Sequence, residues 1–282
     1  MRRRSREIAE RLSLLPLWLR LVSRGSGSAP GLIEERIEFG PDPAQHILIV
    51  RSEHPAGVRP LVYFLHGGSW KYGSPESFRA IGRFFARHGY ITALGGYRLV
   101  PDHHFPAQRD DVFAGIAAVM RGGWFTDACD GSVLLAGQSA GGHLAALAAF
   151  DEEAREAAGL GDLRIAGMLA VSGVLDFSVL CPERSVCPLI EQLMGGREGW
   201  ERADPAHFVH GAACIPTLCL HGSRDPLVPV EVAASFVLRA NGTEGDHAVF
   251  MADPDAHHSD MTRLFFGTSP LTRTMLDWMG DL

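Results

Sequence analysis

The stretch Gly137-Gln138-Ser139-Ala140-Gly141-Gly142 decides the reading of this chain. The apolar run Ser132-Val133-Leu134-Leu135-Ala136 leads into it, and the helix-like run His143-Leu144-Ala145-Ala146-Leu147-Ala148-Ala149 leads away. A G-x-S-x-G sequence between a strand and a helix predicts a nucleophile elbow, a turn that admits only very small residues two positions either side of the serine. Such a turn holds Ser139 Oγ above the sheet edge, at the positive end of the following helix. Gly, Ser and Ala are common residues, so the flanking strand and helix give the pentapeptide its weight.

A serine hydroxyl is a feeble nucleophile until a base takes its proton, and that base needs an acid behind it. On this kind of scaffold the chain order is Ser, then Asp or Glu, then His. The segment His221-Gly222-Ser223-Arg224-Asp225-Pro226-Leu227-Val228-Pro229 follows a predicted strand and supplies Asp225. The segment Asp253-Pro254-Asp255-Ala256-His257-His258-Ser259-Asp260 follows the last predicted strand and supplies the base. Adjacent histidines point in different directions, so only one can serve; the reading takes His257, with His258 as the alternative. A helix capped by Ser259 would leave His257 on the loop facing the strand ends.

Acyl transfer also needs donors for a developing oxyanion. His66-Gly67-Gly68-Ser69-Trp70 follows the predicted strand Leu61–Leu65 and has the H-G-G-x form. The N–H groups of Gly67, Gly68 and Ala140 are therefore expected to form the oxyanion hole, glycine being needed where substrate approaches the backbone closely. Trp70 and Lys71 then stand at the entrance.

Composition bounds the alternatives. The chain has 282 residues, 46% of them apolar, which suits one large α/β domain better than two small ones. A net charge of −7 argues against nucleic acid. Lys71 is the single lysine, so Ser-x-x-Lys chemistry has no partner after Ser139. Five cysteines without a C-x-x-C pair read as reduced thiols in a cytoplasmic protein, a Cys181–Cys187 bridge being the reading for an exported one. His103-His104 lacks metal-site spacing, and neither a metal nor another cofactor is expected.

Candidate strands are Ile33–Phe39, His46–Arg51, Leu61–Leu65, Ile91–Gly95, Ser132–Gly137, Ile165–Val171, Pro216–His221 and Ala248–Ala252. Helical patterns fall at Pro75–His88, Gln108–Arg121, Gly142–Ala158, Val230–Asn241, Asp260–Phe266 and Leu271–Met279. The alternation from Leu61 onward demands a mostly parallel sheet with helices on both faces, preceded by an antiparallel hairpin. Ligands of such sheets sit at the carboxyl ends of the strands. One domain is expected over 32–282, with a cap inserted at about 177–209 whose Leu180, Leu189, Leu193 and Trp200 are candidate pocket walls. Residues 1–31 read as an amphipathic helix (Ile8, Leu12, Leu15, Leu19, Val22) and a flexible linker, Ser23 to Gly31. That helix is expected to pack on the body or on a second subunit, with an anionic membrane surface as the alternative.

With these residues in place, the chain resembles an α/β-hydrolase of the carboxylesterase group related to hormone-sensitive lipase. The segment Gly96-Tyr97-Arg98-Leu99-Val100-Pro101-Asp102-His103-His104-Phe105-Pro106-Ala107, with Asp111 after it, is similar to that group's Y-R-L-A-P-E-x-x-F-P-A signature. Gln138 and His143 stand where the group usually carries Asp and Asn. Ser-Ala-Gly-Gly-His-Leu-Ala, Trp70 after the glycines, and Ser172-Gly173-Val174-Leu175-Asp176-Phe177 bring it closer to the arylformamidase and small-esterase branch. In that branch the base histidine is often followed by one variable residue and then Ser, which again selects His257; Asp176 is expected to organise structure. The resemblance implies a serine carboxylic ester hydrolase acting through an acyl-enzyme on small to medium acyl or aryl esters. An activated-amide hydrolase of arylformamidase type is the second reading, and an inactive hydrolase fold used for binding is the third.

Overall fold

The computed structural model describes residues 21, 23–54, 57–124, 129–180, 186–209, 214–242 and 245–282. The expected amphipathic helix and Cys181 lie outside these residues. Eight strands form one sheet: β1 (Leu32–Glu38), β2 (His46–Ser52), β3 (Arg59–Leu65), β4 (Thr92–Gly95), β5 (Cys129–Gln138), β6 (Ile165–Val171), β7 (Thr217–Gly222) and β8 (Ala248–Asp253). Their order is β1-β2-β4-β3-β5-β6-β7-β8. β2 runs antiparallel to both β1 and β4, and every pairing from β4 through β3 to β8 is parallel.

The period of two along a strand divides the core into two layers. Leu61, Tyr63 and Leu65 of β3, with Val133 and Leu135 of β5, enter one cluster; Val62, Phe64, Leu134 and Ala136 enter the other. Central strands buried on both faces explain the near-continuous apolar runs in the sequence.

The helices include α1 (Arg79–Arg87), α2 (Ala107–Arg121), α3 (Ala140–Phe150), α4 (Glu152–Ala157), α5 (Cys187–Met194), α6 (Pro205–Phe208), α7 (Glu231–Asn241) and α8 (Thr272–Gly280). Ile81, Phe84 and Phe85 of α1 and Met275 and Met279 of α8 cover one face of the sheet. α2, α3 and α7 cover the other through residues such as Ile116, Leu144 and Phe236. Every residue of α3 is buried, as an all-round apolar helix requires. Each of Leu144 and Leu147, fully buried there, contributes about 1.5–3 kcal/mol by leaving water.

Two expectations change. The helix expected over Gly142–Ala158 is broken at Asp151, whose Oδ1 accepts from Ala154 N at 3.1 Å to start α4, while Oδ2 pairs with Arg109 at 2.9 Å. The Ser23–Gly31 stretch, expected as a flexible linker, is docked: Arg83 donates to the Gly27 carbonyl at 3.0 Å, and Arg24 lies over the Phe266 ring. Among the described residues, no helix is long and apolar enough to cross a membrane.

Candidate active site

Ser139 sits at the end of β5 with φ 55° and ψ −119°, a conformation that L-residues rarely adopt. The elbow's glycines are imposed by contact. A Cβ on Gly137 would collide with the Gly141 carbonyl, and one on Gly141 with the Leu65 carbonyl of β3. The Ser139 N–H donates to Val171 O of β6 at 2.8 Å, so the sheet itself fixes the turn. The next N–H, that of Ala140, belongs to the first turn of α3, where the helix leaves its donors without internal acceptors.

The acid follows β7 as expected. Asp225 Oδ1 accepts from the N–H groups of Leu227 and Val228, both at 2.9 Å. Its Oδ2 lies 2.6 Å from His258 Nδ1 and 3.2 Å from His221 Nε2. Burial pushes the Asp225 carboxyl up, but its electrostatic and hydrogen-bond contacts with His258 and His221 outweigh it and hold the group far below the ordinary carboxylate range. It stays ionised.

The histidine between acid and serine is His258, not the expected His257. His258 Nε2 is 2.9 Å from Ser139 Oγ, and its side chain is 5% exposed against 58% for His257. The reason is that the helix starts two residues earlier than expected. The 3₁₀ helix runs His258–Phe266 with His257, not Ser259, at the cap position; the His257 N–H donates to Asp260 Oδ2 at 3.1 Å. That turns the His257 ring outward, 3.4 Å from the same carboxylate. His258, first in the helix, faces inward.

The H-G-G loop passes close by. His66 stacks on Tyr97 at 4.3 Å between ring centroids, and the Tyr97 hydroxyl donates to the His66 carbonyl at 2.8 Å. Gly68, Ser69 and Trp70 all have positive φ (127°, 57° and 55°). A Cβ on Gly68 would strike the Tyr72 carbonyl, so glycine is required there. Gly67 packs against Gln138.

A narrow pocket at the nucleophile is lined by Ser69, Trp70, Ser139 and Ala140. Val174, Val186, Leu189, Leu227 and Val228 complete its wall. The loop therefore meets the pocket through Ser69 and Trp70, the two residues that follow the expected Gly67 and Gly68. Trp200, expected to bind substrate, is not in this wall. It packs edge-on against Phe177, 6.1 Å between centroids, and donates to the Gly196 carbonyl at 3.1 Å. Of the expected cap residues Leu189 lines the pocket, while Leu193 is fully buried in the core.

The signature after β4 and the residue before the cap organise structure. Arg98 grips Asp111 with Nε 2.9 Å from Oδ2 and Nη2 2.8 Å from Oδ1. Asp176 accepts from Ser235 Oγ at 2.6 Å and Arg239 Nε at 2.9 Å, tying the start of the cap to α7. Among the described residues, no cluster of three or more His, Cys, Asp or Glu side chains is arranged to hold a metal ion.

Comparison with known proteins bears on the family and the fold. The BD-FAE family profile matches residues 49–239. Esterase LipC of Mycobacterium tuberculosis is 31% identical over 244 residues, covering 79% of this chain and 59% of LipC. A probable isoprenylcysteine alpha-carbonyl methylesterase, ICMEL1 of Oryza sativa, is 25% identical over 78% of this chain and 56% of its own length. The chain thus spans somewhat under two thirds of these relatives. Among solved structures, inhibited esterase B of Lactobacillus rhamnosis superposes with a TM-score of 0.77 at 21% identity, covering 98% of this chain and 97% of that one. A bacterial heroin esterase gives 0.72 at 20% identity, covering 96% and 89%. Both share the α/β-hydrolase fold with this protein.

Proposed function

The chain belongs to the BD-FAE family, and from that premise we propose that it is a serine carboxylic ester hydrolase working through an acyl-enzyme. The observation that carries this reading is the continuous line of bonds from Asp225 through His258 to Ser139, with His258 Nδ1 2.6 Å from the acid and Nε2 2.9 Å from the hydroxyl. Asp225 accepts the Nδ1–H, which leaves Nε2 bare to take the Ser139 proton. Ser139 Oγ attacks the ester carbonyl, and the charge gathering on its oxygen is met by the N–H of Ala140 and by the Gly68–Ser69 segment. Each such donor contributes ~3 kcal/mol in the transition state. His258 passes its proton to the departing alcohol, then activates a water that releases the acid and frees Ser139.

The aliphatic pocket above Ser139 suits a small acyl group. It offers apolar walls and little room, so each further methylene has to displace Leu189 or Val186 from the wall. An activated-amide substrate is the second reading, favoured by 30% identity to bovine arylacetamide deacetylase over 144 residues, 46% of this chain. Turnover of p-nitrophenyl acetate, p-nitrophenyl hexanoate and an aryl formamide separates the readings. Ester cleavage with acetate ahead of hexanoate is expected. A folded protein that neither cleaves these esters nor labels at Ser139 with a fluorophosphonate would overturn the assignment.

A further inference from the structure

His143 lies four residues beyond Ser139 on α3, fully buried, and is not part of the line from acid to nucleophile. Its ring is bonded on both nitrogens. Trp70 Nε1 lies 3.2 Å from Nδ1, and the Ala203 carbonyl lies 2.7 Å from Nε2. An indole N–H only donates and a carbonyl only accepts, so one arrangement satisfies both: a neutral ring with its hydrogen on Nε2. A second proton would set N–H against N–H at Trp70. Burial opposes that proton as well, pushing the imidazole down to about 4 against the pull of the Ala203 bond.

The two partners belong to different parts of the molecule. Trp70 directly follows Ser69 in the strained loop beside the nucleophile, and both line the pocket. Ala203 ends the 3₁₀ helix Trp200–Ala203 within the cap. The cap closes further on the same ring: Phe177 stacks on His143 at 5.6 Å with an 8° interplanar angle, and the Phe177 N–H is held by Asp204 Oδ1 at 3.1 Å. Trp200 in turn backs Phe177.

We propose that His143 is a positioning residue that couples the cap to the oxyanion loop. The seating of Trp200–Ala203 on its Nε2 is thereby passed through a rigid ring to Trp70 and to the adjoining Ser69 N–H. A donor displaced by about 1 Å from the oxyanion costs on the order of 10²-fold in rate. The loss belongs to the transition state, so it falls on kcat rather than KM. This inference rests on the esterase reading above, and its test is built to fail separately from that reading.

The test measures kcat per active site, with sites counted by fluorophosphonate labelling, in wild type, His143→Ala, His143→Gln and Trp70→Phe, using p-nitrophenyl acetate. Counting sites removes any loss that comes only from unfolded protein. For His143→Ala, kcat per labelled site is expected to fall ~10–100-fold with KM within about threefold, and imidazole to restore part of it. Trp70→Phe, which keeps an aromatic ring but loses the N–H together with part of the indole, should lose kcat in the same direction. If His143→Ala gives no labelled protein, His143→Gln and Trp70→Phe carry the test. Values of kcat per site within threefold of wild type in the variants that label would overturn the proposal. A wild type that neither labels nor turns over would instead overturn the esterase reading.

Discussion

Ser139 and the cap above it are held by different kinds of contact. The elbow is fixed by main chain: Gly137 and Gly141 meet backbone carbonyls with no room for a methyl, and the Ser139 N–H is anchored in the sheet through Val171 O. The cap is joined to the rest by scattered bonds between distant segments. They include Phe105 N to Leu193 O at 2.9 Å, His104 Nδ1 to Gln192 O at 2.9 Å and His143 Nε2 to Ala203 O at 2.7 Å. A floor built from backbone has one geometry, which suits bond-making. A roof held by a few scattered bonds can be re-cut by substitution while the floor stays, which suits substrate choice.

The sharpest way to break this comparison is at the floor. Ser139→Ala should lower kcat on any ester by at least ~10⁴-fold with an unchanged circular dichroism spectrum, since removal of a triad member in comparable machinery costs ~10⁶-fold. Residual activity above a tenth of wild type would remove Ser139 from the chemistry. Next come the two histidines. His258→Ala should cost at least ~10³-fold in kcat, while His257→Ala, which loses only an exposed contact with Asp260, should stay within about threefold. The opposite order would hand the base role back to His257.

Effects at the roof should be smaller and graded. Leu189→Ala opens the pocket wall, and the ratio of hexanoate to acetate turnover should rise about fourfold for each methylene that gains contact, following ~0.8 kcal/mol per buried CH₂. Trp200→Ala should move that ratio less, because Trp200 supports Phe177 and does not line the pocket. If Trp200→Ala changes chain-length preference more than Leu189→Ala does, the acyl group lies elsewhere.

The smallest effect concerns stability against pH. His143 is held neutral in the fold down to about 4, whereas an ordinary histidine takes up its proton near 6.5. Between those values the unfolded chain binds the extra proton, so this contribution to stability is complete above ~6.5 and is lost as pH falls toward 4. The melting-temperature gap between wild type and His143→Gln should therefore narrow from pH 7 to pH 4.5. A constant gap would mean that the ring is not confined to its neutral form.

Much of this was legible along the chain, for reasons that differ by residue. Most of the strands show in the sequence because they carry an apolar run bounded by turn residues, and the observed limits of all eight lie within a few positions of those expected. Asp225 shows because it follows a strand directly. The break at Asp151 does not show, since an Asp inside a helical pattern reveals its capping role only through its partners Ala154 and Arg109. His143 could be seen as a departure from the related pattern, but nothing local connects it to Trp70, 73 positions earlier, or to Ala203, 60 positions later. The pocket-facing role of Ser69 was hidden in the same way, by a run of positive φ that only the folded loop reveals.

The sequence by itself determined the sheet, the order of serine, acid and histidine, and the place of each at a strand end. These follow from periodicity and from small residues where the backbone closes on itself, and both are local. Tertiary structure alone decided which of two adjacent histidines faces Ser139, because the helix starts two residues earlier than expected, leaving His257 at the cap and turning His258 inward. It also decided which cap residues wall the pocket and which merely brace it. Those choices depend on contacts between segments far apart in the chain, where no spacing rule reaches.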